Sequence, residues 1–337
     1  MITLDGSIGE GGGQILRSAV ALAMVTGKPF RIDNIRPKRD KPGLMRQHLT
    51  AITAAQQVCN ARVTGAALGS RTLEFHPGKI IPGNYRFAVG TAGSATLVLQ
   101  TILPALMIAD APSHIDLEGG THNPWAPPFD FLEKCFLPLI GRMGPRITAM
   151  LECPGFYPAG GGKVSVDIEP AKLAPLHLPD LGTIRNRSGR ALIAGLPRRI
   201  AERQTAVLAQ RTGWPVEALT IQQFPESCGP GNAIVVEIQS DHVTEVFTAF
   251  GQKGITSEAL VDQLIAEVRA YEAAWVPVGP YLADQLLLPL AMAGGGSFLT
   301  PPLSRHAHTN IEVVGQFLNV PMVVEQARTD AVLVRVG

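Results

Sequence analysis

Residues 14–35, QILRSAVALAMVTGKPFRIDNI, decide the fold because their pattern returns twice, as residues 97–118, LVLQTILPALMIADAPSHIDLE, and residues 282–302, LADQLLLPLAMAGGGSFLTPP. Each copy runs from an apolar helix-like stretch through a break of small residues, Asp or Gly into a short strand-like stretch. Aligning Pro29 with Pro112 sets an offset of 83 between the first two copies. Aligning Leu22-Ala23-Met24 with Leu290-Ala291-Met292 sets an offset of 268 for the third.

The segments downstream of the three copies also agree. A loop leads to a second helix at residues 43–59, 128–143 and 311–318. Paired alternating stretches then close the unit: 61–63 with 72–75, 146–152 with 163–168, and 322–325 with 331–336. The repeated unit is therefore βαβαββ. A sheet with helices on one face needs a neighbour to cover it, so three units should pack around a pseudo-three-fold axis in an α/β (α+β) architecture. Residues 185–277 match no unit. They carry strands of their own at 191–194 and 233–238, and amphipathic helices at 201–212 and 257–273. The expected division is a large domain from residues 1–184 and 278–337, interrupted by a smaller α/β domain at 185–277.

Composition narrows the function. The 337 residues are 46% hydrophobic, enough for a substantial core, and 29 Lys+Arg against 28 Asp+Glu leave a net charge of +1. That balance excludes a uniformly basic nucleic-acid binder but permits a local anion-binding patch. Aromatics at 6% argue against an extended stacking platform for single strands. The N-terminus lacks a basic segment followed by an apolar run, and the apolar stretch at 95–111 is broken by Gln100, Thr101 and Pro104. A cytoplasmic protein outside the membrane is expected. Cys59, Cys135, Cys153 and Cys228 show no CxxC spacing and read as free thiols.

Three loops carry candidate chemistry. Gly9-Glu10-Gly11-Gly12-Gly13-Gln14 precedes a helix with Arg17 one turn in. Glycines there let backbone N–H groups approach a phosphate, or they make a plain tight turn. The spacing fits neither a dinucleotide-binding fingerprint nor a Walker loop. Glu10 repels phosphate unless Mg²⁺ or Mn²⁺ bridges them; it could equally cap the helix. Arg36, Lys38, Arg39, Lys41 and Arg46 place five cations within eleven residues. They form either a solvated loop or an anion site. By the offsets, Lys38, Thr121 and His306 are equivalent, as are Arg17, Gln100 and Gln285. Units packed about one axis would bring such loops to one face. His306 and His308, two residues apart, could ligate a metal from one strand face, or a neutral imidazole could attack phosphorus. The glycines at 160–162 read as a tight turn, and those at 294–296 as a helix end.

GEGGGQILR (residues 9–17), KPGLMRQHL (41–49), GFYPAGGG (155–162), YLADQL (281–286) and the His306 segment ending in Thr309-Asn310 resemble RNA 3′-terminal phosphate cyclases. The resemblance spans essentially the whole chain, with five motifs in order. It implies an ATP-dependent ligase that turns an RNA 3′-phosphate into a 2′,3′-cyclic phosphate. In the implied reaction a histidine takes AMP from ATP, AMP passes to the RNA 3′-phosphate, and the 2′-OH displaces it. The need for a 2′-OH accounts for an RNA substrate. Carried over by motif, His306 is the expected nucleophile and Glu10 the expected metal ligand for Mg²⁺ or Mn²⁺. Gln14, Arg17, Arg36 and Arg39 are expected on the phosphate side. Gln100, Pro127, Tyr281, Leu282, Ala283, Asp284 and Gln285 are expected on the nucleotide side. Arg305 stands where some relatives have a small or thiol residue. A homodimer is compatible with this reading. Two other readings are a catalytically silent relative that binds RNA in ribosome assembly, and an enolpyruvyl transferase. The first should lack the nucleophile, and the second should have six units and no insertion.

Overall fold

A computed structural model of the chain describes residues 1–226 and 228–337. Its first sheet holds β1 (Ile2–Asp5), β2 (Phe30–Asp33), β3 (Arg62–Thr64) and β4 (Leu73–His76), in the order β1-β2-β4-β3. Strand β1 runs parallel to β2, and the other two pairings are antiparallel. Helix α1 (Gln14–Thr26) crosses from β1 to β2, and α2 (Arg46–Cys59) from β2 to β3.

The second sheet repeats this connectivity with β5 (Asn84–Ala88), β6 (Ser113–Gly119), β7 (Arg146–Cys153) and β8 (Gly162–Glu169), in the order β5-β6-β8-β7. Its crossing helix is α3 (Ala95–Leu106). Its second helical segment is α4 (Phe129–Phe131), a π-helical turn at Leu132–Phe136, and α5 (Leu137–Arg142). A third sheet opens with β9 (Leu176–Leu178), then the chain departs.

The departure is β10 (Ile184–Ala194), α6 (Arg199–Thr212), β11 (Leu219–Phe224), β12 (Gly231–Ser240), β13 (Thr244–Phe250) and α7 (Ser257–Ala274). These strands form their own sheet, β11-β10-β12-β13, over a separate apolar cluster that includes Ile234, Val236, Leu264 and Val268. The chain returns with α8 (Pro280–Ala293), β14 (Gly296–Thr300), α9 (Arg305–Phe317), β15 (Met322–Arg328) and β16 (Ala331–Val336). These complete the sheet β9-β14-β16-β15, again with the first pair parallel and the others antiparallel.

Apolar helices explain the packing. In α1, residues 14–16 and 18–24 are all buried, so the helix has no broad solvated face. It packs against α2, α3 and α9. Gly27 and Gly294 end α1 and α8 in left-handed conformation at φ 69° and 72°, as expected for glycine C-caps. Gly160 and Gly161 also have positive φ, as a tight turn there requires.

Two sequence expectations need correction. Cys153 and Cys228 are not free thiols: they form a disulfide that joins the end of β7 to the β11–β12 connection. Cys59 and Cys135 are free and buried. The residues around His306 are not a loop or a strand, because α9 begins at Arg305, with the Ser304 hydroxyl accepting from Ala307 N at 3.1 Å. On a helix, residues two apart diverge by about 200°, so His306 and His308 do not share a face. Among the described residues no helix is long and apolar enough to cross a membrane.

Candidate active site

A cavity of about 1370 Å³ opens where helices converge. Gly13 and Gln14 at the head of α1, Met45 and Arg46 at α2, and Ser94 at α3 line it. So do Pro128 at α4, Pro280 at α8 and Ser304 at α9. Six helix starts therefore face one space. Each carries a partial positive charge and N–H groups without intrahelical acceptors, so the cavity suits a polyanion. No side chain caps α1 at Gly13 or α8 at Gly279. Gly13 must be glycine: a Cβ there would lie 2.4 Å from His48 Nε2 and 2.9 Å from an Arg17 guanidinium nitrogen.

At the centre, α1, α8 and α9 are tied together by one carboxylate. Asp284 Oδ1 accepts from Gln14 Nε2 at 2.7 Å and from Asn310 Nδ2 at 3.3 Å. Asn310 is itself held by the Ser18 hydroxyl, which donates to its Oδ1 at 2.9 Å. Asp284 Oδ2 lies 3.2 Å from His306 Nδ1. The other ring nitrogen, Nε2, is 3.7 Å from Glu10 Oε2. Arg39 reaches the same Glu10 oxygen at 4.0 Å. Asp284 is buried, whereas the side chains of His306 and Glu10 remain 36% and 41% exposed.

The cations beside this centre are poorly neutralised. Burial pulls the Arg17 guanidinium down to about 10; Asp284 opposes that shift and Arg36 adds to it. Arg36 is lowered by burial and by Arg39. An anion placed among them relieves both effects. Arg36 also braces its loop, donating to Lys41 O at 2.9 Å and Gly43 O at 2.8 Å from a backbone at φ 53°. His48 is pushed down to about 3 by burial, then by Arg17 and Arg36. It is neutral, and Met45 N donates to its Nδ1 at 3.0 Å, so Nε2 carries the hydrogen toward the cavity.

The sequence profile of the RNA 3′-terminal phosphate cyclase family matches residues 8–324. A protein named RNA 3′-terminal phosphate cyclase from Koribacter versatilis (strain Ellin345) is 52% identical over 327 residues, which cover 97% of this chain and 92% of the relative. Another of that name, from Ectopseudomonas mendocina (strain ymp), is 52% identical over 326 residues, covering 97% and 95%. The chain belongs to the RNA 3′-terminal phosphate cyclase family. The sites expected of a cyclase can now be placed on its cavity. Glu10, Gln14, Arg17, Arg36, Arg39, Gln100, Pro127, Tyr281, Asp284, Gln285 and His306 all line it. Gln100 Nε2 donates to Gln285 Oε1 at its wall. Leu282 and Ala283 do not line it; both are on α8 and are buried in the core. Lys38, Lys41 and His308 are also absent from its wall.

Arg46, one of the five clustered cations, lines the cavity as well, and sequence reasoning missed His48, Ser18 and Asn310, which also line it. His48 lay inside a quoted motif, so the signal was present but carried no chemistry of its own. Ser18 and Asn310 act across 292 residues, a relation that no local pattern encodes. Val246, Phe250 and Gln263 of the departing segment complete the wall.

Proposed function

We propose that this protein closes RNA 3′-terminal phosphates into 2′,3′-cyclic phosphates at the expense of ATP, with His306 as nucleophile. One observation carries the reading. The His306 imidazole is braced by Asp284 and faces Glu10, at the point where six helix starts and Arg17, Arg36 and Arg39 meet.

The bracing sets the tautomer. Asp284 Oδ2 accepts a hydrogen bond from Nδ1–H, which leaves the Nε2 lone pair facing the cavity. Nε2 attacks the α-phosphorus of ATP; the bond to the bridging oxygen breaks and pyrophosphate leaves with the electron pair. Asp284 stabilises the positive charge that grows on the ring. An oxygen of the RNA 3′-phosphate then attacks the same phosphorus and the N–P bond breaks, restoring His306. Finally the 2′-OH releases its proton to water and its oxygen attacks the terminal phosphorus; the bond to the bridging oxygen breaks and AMP leaves with the electron pair. Arg17, Arg36, Arg39 and the helix starts hold charge throughout.

A divalent ion fits the donor set in a limited way. Among the described residues no group of three or more His, Cys, Asp or Glu side chains is assembled for a metal. Asp284 already accepts from Gln14 and Asn310. Glu10 is therefore the open carboxylate, and phosphate oxygens and water would complete the shell of Mg²⁺ or Mn²⁺. When bound, the ion neutralises phosphate charge beside Glu10.

The three like-connected sheets form, in this reading, a large domain about a pseudo-three-fold axis, with residues 185–277 as an inserted domain. Arg17, Gln100 and Gln285, equivalent by the offsets, share one cavity, which supports that arrangement. Pro104 and Pro289 are separated by the same 185 residues as Gln100 and Gln285, and each lies inside its helix.

Incubation with α-labelled ATP and Mn²⁺ tests the chemistry. An acid-labile, alkali-stable AMP adduct is expected on the wild type and on His308→Ala, and none on a folded His306→Ala. An adduct that survives His306→Ala overturns the assignment.

A further inference from the structure

Two aromatic side chains on the cavity wall have no part in the chemistry above. Trp125 is 80% exposed and Tyr157 is 54% exposed, and both line the cavity that contains His306. Their ring centroids are 5.9 Å apart at an interplanar angle of 78°. Single exposed apolar residues are ordinary, but a paired indole and phenol beside a polyanion site, in a chain with 6% aromatics, are a different case.

The loops that carry them are locked together. Thr121 N and His122 N both donate to Gly155 O, at 2.9 and 3.0 Å. Gly155 N returns a bond to the Thr121 hydroxyl at 2.8 Å. The fully buried His122 ring packs on Phe156 at 5.3 Å and is held by Asp130 Oδ2 at 2.8 Å from its Nε2. The rings are thus exposed yet mounted on a fixed base, which keeps the entropy cost of ligand contact small.

We propose that Trp125 and Tyr157 form a stacking platform for a nucleobase at the 3′ end of the RNA substrate, and so select unpaired ends. This rests on the cyclase reading. Single-stranded RNA is recognised by stacking unpaired bases on aromatic faces, and because every base has such a face, the platform is tolerant of sequence. The helix starts and Arg17, Arg36 and Arg39 that line the same cavity receive the terminal phosphate, so one cavity holds both a base and its phosphate. The perpendicular setting leaves one ring free to stack while the other supports it from the edge.

Two readouts separate this platform from the chemistry. In the first, a single-stranded RNA ending in a 3′-phosphate is titrated without ATP, following tryptophan fluorescence. Quenching is expected in the wild type and is lost in Trp125→Ala. Equal quenching in the two overturns the proposal. In the second, cyclisation is assayed with normal RNA and with RNA abasic at its last two positions. Trp125→Ala and Tyr157→Ala should raise the RNA KM roughly 5- to 150-fold, the range of one lost base stack. Trp125→Phe should recover most of the loss, and the abasic substrate should abolish the difference between wild type and variants. An unchanged RNA KM, or a loss that falls on ATP labelling instead, overturns it. A wild type that neither labels nor cyclises, while RNA quenching at Trp125 persists, removes the cyclase reading and leaves the platform standing.

Discussion

Asp284 and His306 face each other across the α8–α9 contact, with Oδ2 3.2 Å from Nδ1. The other carboxylate oxygen is held by Gln14 at 2.7 Å, so the acid cannot turn away from the ring. Asp284→Asn keeps the shape but can present an amide N–H to Nδ1, which would favour the tautomer protonated on Nε2. The AMP-labelling rate should then fall roughly 10²–10⁴-fold, the scale of a displaced acid–base partner. Single-turnover labelling checks this, with an unchanged melting temperature as the control. An unaltered rate would show that Asp284 does not orient the ring.

Glu10 is the open carboxylate at the centre, 3.7 Å from His306 Nε2. If it meets the phosphates through a divalent ion, Glu10→Ala should raise the Mn²⁺ concentration needed for half-maximal labelling and slow the step at saturating metal, by roughly 10²–10⁴-fold in all. A metal titration that overlays the wild type counts against this role.

Arg39 is half-exposed and reaches the Glu10 carboxylate at only 4.0 Å, so its fork is free for a phosphate. A 3′-phosphate end carries charge that a 3′-hydroxyl end lacks. Arg39→Ala should weaken phosphate-end binding by about 1.5–3 kcal/mol, roughly 10- to 150-fold, and reduce its salt dependence. Competition between 3′-phosphate and 3′-hydroxyl RNA measures it. If the preference of the wild type persists in the variant, Arg39 is a solvated surface charge.

Glu245 on β13 lies beneath the head of α8. Cys135 Sγ donates to it at 3.1 Å, and a Cβ at Gly279 would come within 2.1 Å of its other oxygen. Burial pushes its carboxyl up from 4.5 to about 8. Between those values the folded protein holds a proton that the unfolded chain has released. Stability is therefore full below about pH 4.5 and falls as pH rises toward 8, by about 1.4 kcal/mol per unit from this group. Thermal unfolding of Glu245→Gln should show a flatter pH dependence across that window. Matching slopes in wild type and variant would refute the assignment.

Much of the site was legible because its parts are local. The glycines at 9–13 followed by Gln14 and Arg17 announce a helix start open to an anion, and α1 begins at Gln14. Helix α9 starts at Arg305, ahead of its apolar pattern. Ser304 caps it, but Arg-His-Ala-His-Thr-Asn has little apolar periodicity, so burial of Ala307, Thr309 and Asn310 against neighbouring elements defines its first turn. The disulfide was missed because Cys153 and Cys228 lie 75 residues apart with no motif to join them.

The sequence alone carried a helix-to-strand pattern that returns, and the residue types available for phosphate chemistry. These depend on periodicity, turn propensity and composition, all encoded within about twenty residues. Tertiary structure decided which of them meet. Arg17, Arg36 and Arg39 reach the cavity while Lys38 and Lys41 do not, and Asp284 turns to His306 rather than to solvent. The ties that set this, Gln14 to Asp284 and Ser18 to Asn310, span 270 and 292 residues. Contacts at such separation form when packed helices bring their ends together, and no local preference specifies that convergence.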